Sequence, residues 1–291
     1  MFMENKLTVI ILIYEENLNV IYECLESVKN FKVIIIDNAN NIKRRDKIQK
    51  DFKIDKYFLN KKNYGFSKAI NIGIKNCSTD YLLILNPDCI ISKKSIDILL
   101  ENLEKYQNCF MTTPTLVNHN NKIEQNASMF PETGIPKEPI NIDGDICCQS
   151  VLAAAMMCRT EEIIKIGLFD ENFFLFYEDD DLCKRVRNLK KSIIQIYNAK
   201  AIHIHGQGKS IKSSLKKSFI INYNMTFSEL YYLYKIGNHQ QKLKALSNKI
   251  VSYIIKTIMN FLIFRFNKSI YYFSKALAFF KFTSMIKKKI K

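Results

Sequence analysis

Short β-branched apolar runs alternate along the chain with longer segments whose apolar residues recur at helical spacing. LTVIILIY (7–14) is a continuous apolar run, the pattern of a buried strand, and NLNVIYECLESVKN (17–30) has the apolar spacing of a helix. KVIIIDNANN (32–41) reads as a second buried strand running into polar loop residues. A short basic helix and a strand near Ile54–Leu59 follow, and GFSKAINIGIKN (65–76) reads as a helix. DYLLILNPDC (80–89) is a strand that breaks at Pro87, and SKKSIDILLENLEKY (92–106) a helix with Ser92 as N-cap. Strands alternating with helices over about 110 residues predict βαβ units, an α/β class and a mostly parallel sheet flanked by helices. Residues 107–150 read as irregular, with Pro114, Pro131, Pro136 and Pro139. An apolar run (151–158), a short helix and FFLFYEDDDLCKR (173–185) come next, and KSIIQIYNAKAIHIHG (191–206) reads as two short strands.

Ligands of such sheets bind beyond the C-terminal strand ends. Three polar groups stand at those ends: Tyr14-Glu15-Glu16, Asp37-Asn38 and Asn86-Pro87-Asp88. Together they propose a single site. No GxGxxG follows the first strand and no GxxxxGK[ST] occurs, which argues against a dinucleotide fingerprint and excludes a P-loop.

The acidic stretch Glu178–Asp181 has a structural reading as the first turn of a helix, where free N–H groups and the dipole favour negative charge. Leu182, Val186 and Leu189 then share one buried face, and Asp181 pairs with Arg185 at i,i+4. That accounts for one or two acids, not for four behind an aromatic run.

Composition adds a division of the chain. Residues 1–205 carry 27 Lys/Arg and 27 Asp/Glu, whereas residues 206–291 carry 17 Lys/Arg and one acid, Glu229. The whole net charge of +16 therefore lies in the last third, and a boundary is expected near Gly206: 1–206 the α/β domain, 207–291 a basic helical region. The segments 245–266 and 269–291 are aromatic and apolar but interrupted by lysines. They lack a spanning run and suit the surface of an anionic membrane. Charge and aromatics alone do not make a nucleic-acid binder, and no such motif is present, so no nucleic-acid partner is expected. The eight cysteines form no CxxC pair and read as reduced core residues; the N-terminus reads as a first strand rather than a signal peptide. A cytoplasmic protein, peripheral on the cytoplasmic face of the membrane, is expected, with self-association left open.

Five stretches in order give the chain a family resemblance: VIILIYEEN, VIIIDNAN, NKKNYGFSKAINIGI, LLILNPDC and FDENFFLFYEDDDLCKR. They resemble the motifs of the family 2 glycosyltransferases of GT-A fold, in particular the rhamnosyltransferase-like branch, over roughly residues 7–206. The resemblance implies a metal-dependent, inverting transferase that moves a sugar from a nucleotide-diphosphate donor to a saccharide acceptor, plausibly lipid-linked, in surface glycan assembly. It implies that Tyr14 stacks on the base and Asp37 accepts from a base N–H. Asn63, Gly65, Asn71 and Asn86 would line the donor cleft. Asp88 would hold a divalent cation, Mn²⁺ or Mg²⁺, with a late histidine, His205. His203, one alternation away on the same side, is the other candidate. Asp179 would be the general base, with Glu178 and Asp181 positioning base and acceptor and the aromatic run packing the loop on the acceptor side. Two departures stand out: Ser150 and Ala153 occupy places where an aromatic residue and a glycine are usual, and Glu15 replaces the usual Asn. A nucleotidyltransferase would need a basic loop after the first strand, and YEENLN is acidic. A non-catalytic binding module with a relic site is the remaining rival.

Overall fold

The computed structural model describes residues 5–124, 127–128, 143–204 and 214–290. In chain order the elements are β1 (Leu7–Ile13), α1 (Leu18–Val28), β2 (Lys32–Asp37), α2 (Ile42–Asp51), β3 (Lys56–Leu59), α3 (Phe66–Lys75), β4 (Tyr81–Leu85), β5 (Cys89–Ile91), α4 (Lys93–Lys105) and β6 (Cys109–Val117). There follow β7 (Ala127–Ser128), β8 (Ile146–Cys147), β9 (Ser150–Val151), β10 (Ala155–Arg159), α5 (Thr160–Lys165), α6 (Glu178–Asn188) and β11 (Ser192–His203). Four helices complete the chain: α7 (Leu215–Lys235), α8 (Gln240–Ser247), α9 (Ile250–Leu262) and α10 (Phe266–Ile290). By contact the chain divides into two compact units: Met1–Glu171 with Glu178–Ser210, and Asn172–Tyr177 with Ile211–Lys291.

In the first unit the sheet runs β3-β2-β1-β4-β10-β6-β11-β5, with β8 paired to β11. β3, β2, β1 and β4 are parallel throughout. Beyond them β10 is antiparallel to both neighbours, and β6 and β11 are parallel to each other. β1 shows why its sequence lacks alternation. Leu7, Val9, Ile11 and Ile13 face a core shared with α1 and α4, while Ile10 faces a second core shared with α3, α5 and α6. A strand covered on both faces has no polar side to show. Asn17 caps α1 by accepting from the Asn19 N–H, and Ser92 caps α4 by accepting from the Ser95 N–H. α3 lies close on the sheet because Gly73 has no side chain. A Cβ there would stand 2.5 Å from Ile10 Cγ2 and 2.8 Å from Ile36 Cδ1.

Three sequence expectations change. Residues 109–117, expected to be irregular, form the fully buried strand β6. Pro114 is tolerated there because β11 bulges opposite it, its register slipping between Ile196 and Lys200. That bulge also makes residues 192–203 one kinked strand rather than two. The Tyr197 N–H freed by the bulge donates to Asp145 Oδ1 at 2.8 Å. Leu189, expected on a buried face with Leu182 and Val186, is 58% exposed, because α6 has ended one residue earlier.

The second unit is helical. Its core joins Phe173, Leu230, Tyr231, Tyr232, Leu246 and Phe282. Phe173 is buried edge-on against Tyr231, ring centroids 4.9 Å apart, and the Ser228 hydroxyl donates to the Leu175 carbonyl at 2.9 Å. The aromatic run therefore anchors α7 and α10 of this unit. No helix among the described residues is long and apolar enough to cross a membrane.

Candidate active site

The end of β1 and the end of β2 meet α2 around a recess of about 690 Å³, lined by Tyr14, Glu15, Glu16, Ala39, Lys43 and Arg44 among others. Burial pushes the Tyr14 hydroxyl pKa up; a hydrogen bond with Asn63 opposes the shift and one with Glu15 adds to it. Asp37 lies behind the recess and is fully buried. Its two oxygens accept from Arg44 Nη2 at 2.7 Å, Arg44 Nε at 3.3 Å, the Tyr57 hydroxyl at 2.8 Å and the Ala39 N–H at 2.7 Å. A carboxylate has about four acceptor sites, so Asp37 has none left for a base N–H in this arrangement. What it does here is hold Arg44, whose Nη1 donates to the Tyr14 carbonyl at 2.8 Å and whose side chain lines the recess. The sequence reading passed over Arg44. Its one signal was helical spacing, since Arg44 and the fully buried Ile48 are i,i+4 partners on α2.

A net of amides joins β2 to the start of α3. Asn38 Nδ2 donates to Asn63 Oδ1 at 3.1 Å and to the Gly65 carbonyl at 3.0 Å, and Asn38 Oδ1 accepts from Asn60 Nδ2 at 2.8 Å. Asn63 Oδ1 also accepts from the Gly65 N–H at 2.8 Å. Gly65 precedes α3 with φ 79° and ψ −174°, a conformation that requires glycine. Asn63 and Gly65 thus shape the loop beside Tyr14. Asn71 does something else. It is 2% exposed, donates to the Phe169 carbonyl at 2.9 Å and accepts from the Phe169 N–H at 3.1 Å. Both ends of its amide pin residue 169 to α3, and Nδ2 also donates to Glu171 Oε1 at 3.2 Å.

After β4 the chain breaks at Pro87, and Asp88 faces β11. Asp88 Oδ1 lies 3.4 Å from His203 Nε2, and His203 Nδ1 lies 3.6 Å from Glu124 Oε2. His203 pairs with Cys89 across β5 and β11, which fixes its side of the sheet. His205 lies outside the described residues. Asp88, Cys89 and His203 offer ligand atoms within 4.8 Å of one another. Burial, and then the Asp88 charge, hold the Cys89 thiol well above its ordinary pKa, so the carboxylate oxygen and the imidazole nitrogen are the readier donors. That set suits Mn²⁺ and leaves room for oxygen ligands from a diphosphate; a carboxylate approaching the second imidazole nitrogen is the usual support for a metal-binding histidine. Glu124 is the second residue that sequence reasoning missed, because it lies in a stretch without periodic pattern.

The four acids occupy the first turn of α6, as expected. They are not equivalent. Asp181 is 3% exposed and accepts from Arg185 Nε at 2.9 Å; Arg185 also donates to the carbonyls of Ile166 and Leu168. Through Arg185, Asp181 is tied to the loop before α6. Asp180 accepts from the Ser150 hydroxyl, so the departure at 150 ties β9 to α6. Glu178 is 6% exposed with one carboxylate oxygen lacking a hydrogen-bond partner; burial, then the neighbouring Asp179, raise its pKa well above the usual carboxylate range. Asp179 accepts from the Asp180 N–H at 3.0 Å and the Ala153 N–H at 3.4 Å. Burial and then the Asp180 charge push its pKa up to about 7, against the opposing pull of those N–H groups. Phe176 and Tyr177, just before the helix, have φ of 71° and 66°, strained values for aromatic residues.

Two adjacent backbone positions link these parts. The Asn86 N–H donates to the Ala154 carbonyl at 2.8 Å, and the Ala153 N–H donates to Asp179. The segment leading into β10 thereby binds the Asp88 turn on one side and the Asp179 carboxylate on the other. Glu16, whose pKa is raised by burial, feels Arg44 and Asp88 as charged neighbours, which brings the β1 end into the same field. Asn86 contributes through its backbone, its carbonyl accepting from the Cys89 N–H at 3.0 Å. The Asp88–His203 pair and the Asp179 carboxylate are thus joined through residues 153–154, with the Tyr14 recess at the end of neighbouring β1.

The chain is similar to several known proteins. The chain is 25% identical over 227 residues to rhamnosyltransferase WbbL of Escherichia coli, covering 69% of this chain and 83% of that protein. It is 26% identical over 218 residues to the low-salt glycan biosynthesis hexosyltransferase Agl10 of Haloferax volcanii, covering 69% and 68%. Among solved structures it matches mannosyltransferase PcManGT from Pyrobaculum calidifontis in complex with GDP-Man and Mn²⁺, at TM-score 0.54 and 9% identity over 96% of this chain and 87% of that one. It also matches GalNAc-T7 with UDP, GalNAc and Mn²⁺, at TM-score 0.58 and 16% identity, over 75% of this chain but only 48% of that longer one. These likenesses establish the GT-A fold. The family model for glycosyl transferase family 2 matches residues 8–159, from β1 through β10, and the chain belongs to that family.

Proposed function

We propose that this protein transfers a hexosyl or deoxyhexosyl group, rhamnose being the favoured member, from a nucleotide diphosphate to a saccharide hydroxyl with inversion of configuration. The favoured sugar rests on the likeness to rhamnosyltransferase WbbL and to dTDP-rhamnosyl transferase RfbF of Shigella flexneri. The acceptor is a lipid-linked saccharide of surface glycan assembly, used at the cytoplasmic face of the membrane. Tyr14 and Arg44 take the nucleotide in the recess, and the loop of Asn63 and Gly65 closes on it. Asp88 and His203 would hold a divalent cation; when bound, it offsets the charge that builds on the departing diphosphate.

Asp179 takes the proton of the acceptor hydroxyl as that oxygen attacks the anomeric carbon and the bond to the diphosphate breaks. A general base works best with a pKa near the working pH, where part of it is ionised and it is still basic enough to accept a proton, and a carboxylate at about 7 meets that need. Glu178 lies beside Asp179, and burial raises its pKa well above the usual carboxylate range, which disfavours a second negative charge next to the base. The observation that carries the reading is the double tether of residues 153–154, which supports Asp88 and Asp179 working on one substrate. Asp179→Asn tests it. Nucleotide binding should be unchanged and turnover should fall by roughly 10²–10⁴-fold. Unchanged turnover would remove Asp179 as the base.

A further inference from the structure

α9 is built with its apolar face outward. Val251, Ile254, Ile255, Ile258, Met259 and Leu262 fall at i, i+3, i+4, i+7, i+8 and i+11, one stripe of a helix. In a water-soluble unit that stripe is the one that packs. Here every member is exposed, from 41% at Ile254 to 67% at Leu262, and no residue of α9 is buried. The side that packs is the polar one. Tyr253 meets Tyr272 of α10 with ring centroids 5.7 Å apart, and the Ser269 hydroxyl donates to the Thr257 carbonyl at 2.9 Å. The apolar surface continues past the helix through Ile263 and Phe264, which are 57% and 80% exposed. Phe264 turns the chain with φ 57°, a costly conformation for a large side chain, and the rings of Phe261, Phe264 and Phe266 gather at centroid distances of 5.7 and 6.0 Å. A contiguous apolar surface of this extent marks a site of association.

The charges around it select the partner. Lys249, Lys256, Arg265 and Lys268 are all exposed along the same stretch, and residues 230–291 contain no Asp or Glu. A second copy of the chain would bring cations against cations. An anionic bilayer supplies both an apolar layer for the stripe and negative headgroups for its flanks. α9 has 13 residues, too few to span, so it would lie in the plane of the interface.

We propose that α9 and the turn into α10 form an interfacial anchor for anionic phospholipid membranes, with Ile254, Ile258, Leu262 and Phe264 entering the acyl region. The proposal stands independently of the catalytic reading. It is tested with the full chain by co-sedimentation with phosphatidylcholine vesicles, with and without phosphatidylglycerol, for wild type and the double variant Ile258→Asp/Leu262→Asp. Both positions are exposed, so thermal unfolding and helicity should not change. Wild type should bind the anionic vesicles, and the double variant should partition at least ~30-fold more weakly, since each substitution removes buried apolar area and adds a repelled charge. Equal partition of the two proteins, or of wild type between charged and uncharged vesicles, overturns the proposal. So does the absence of vesicle binding together with a self-association in sedimentation velocity that the same variant abolishes, which would assign the face to a second copy.

Discussion

Asp179 is the proposed base, and its environment makes two predictions that separate a working base from a helix-capping acid. Transfer should rise with pH through about 7, because only the ionised carboxylate accepts a proton. Stability should move the other way. The folded state holds the Asp179 proton up to about 7, whereas an unfolded chain releases it near the ordinary aspartate pKa. Folded protein therefore binds more protons in that window, and stability falls as pH rises from about 4 to about 7. Asp179→Asn should remove this loss. The variant should be more stable than wild type by about 1–3 kcal/mol near pH 8 and equal to it below about pH 4, as read by denaturant melts. A capping acid would show the opposite sign. Arg44 makes a different prediction. Removing it leaves Asp37 buried and charged, so Arg44→Ala should cost about 3–5 kcal/mol in urea unfolding, and the loss should be largely absent when Asp37 is replaced in the same chain. The sequence made Asp37, Asp88 and the four acids legible because each stands at a strand end or helix start that periodicity marks. Arg44, Glu124 and the backbone of Ala153 were not legible. Their importance comes from which distant residue they meet, and a single sequence carries no record of that.

Elements show the same divide. Apart from the short strand β5, which the sequence did not announce, β1 to α4 follow local rules: apolar runs, helical spacing and Asn or Ser caps place the boundaries within a few residues. The half of the sheet from β6 onward follows tertiary rules. β6 contains a proline and still lies inside the sheet, between β10 and β11, because the bulge in β11 absorbs the missing N–H. Neither strand announces the other, so both were misread from sequence. α3 tests how tightly the elements fit. Gly73→Ala gains about 1 kcal/mol of helix propensity, but the new methyl meets Ile10 Cγ2, a branched group on a buried strand that cannot swing away. The overlap should win, and the variant should be about 1–2 kcal/mol less stable by thermal or urea unfolding. Equal or greater stability would mean that α3 can ride up from β1 without loss.

At the scale of the whole molecule, charge and chemistry are separated along the chain. The part with balanced charge contains the recess, the Asp88–His203 pair and the acids of α6, and the excess of +16 belongs to the last 86 residues. Family membership fixes a sugar transferase, while the base, the sugar and the acceptor rest on side chains still to be tested. The most direct test is thermal unfolding of the full chain with dTDP, UDP, GDP or CMP, each with and without Mn²⁺, in wild type and Asp88→Asn. A ligand that binds only the folded state raises the midpoint by mass action. One nucleotide should stabilise wild type only when Mn²⁺ is present, and Asp88→Asn should lose the effect. No shift with any nucleotide, or the same shift in the variant, would contradict this expectation.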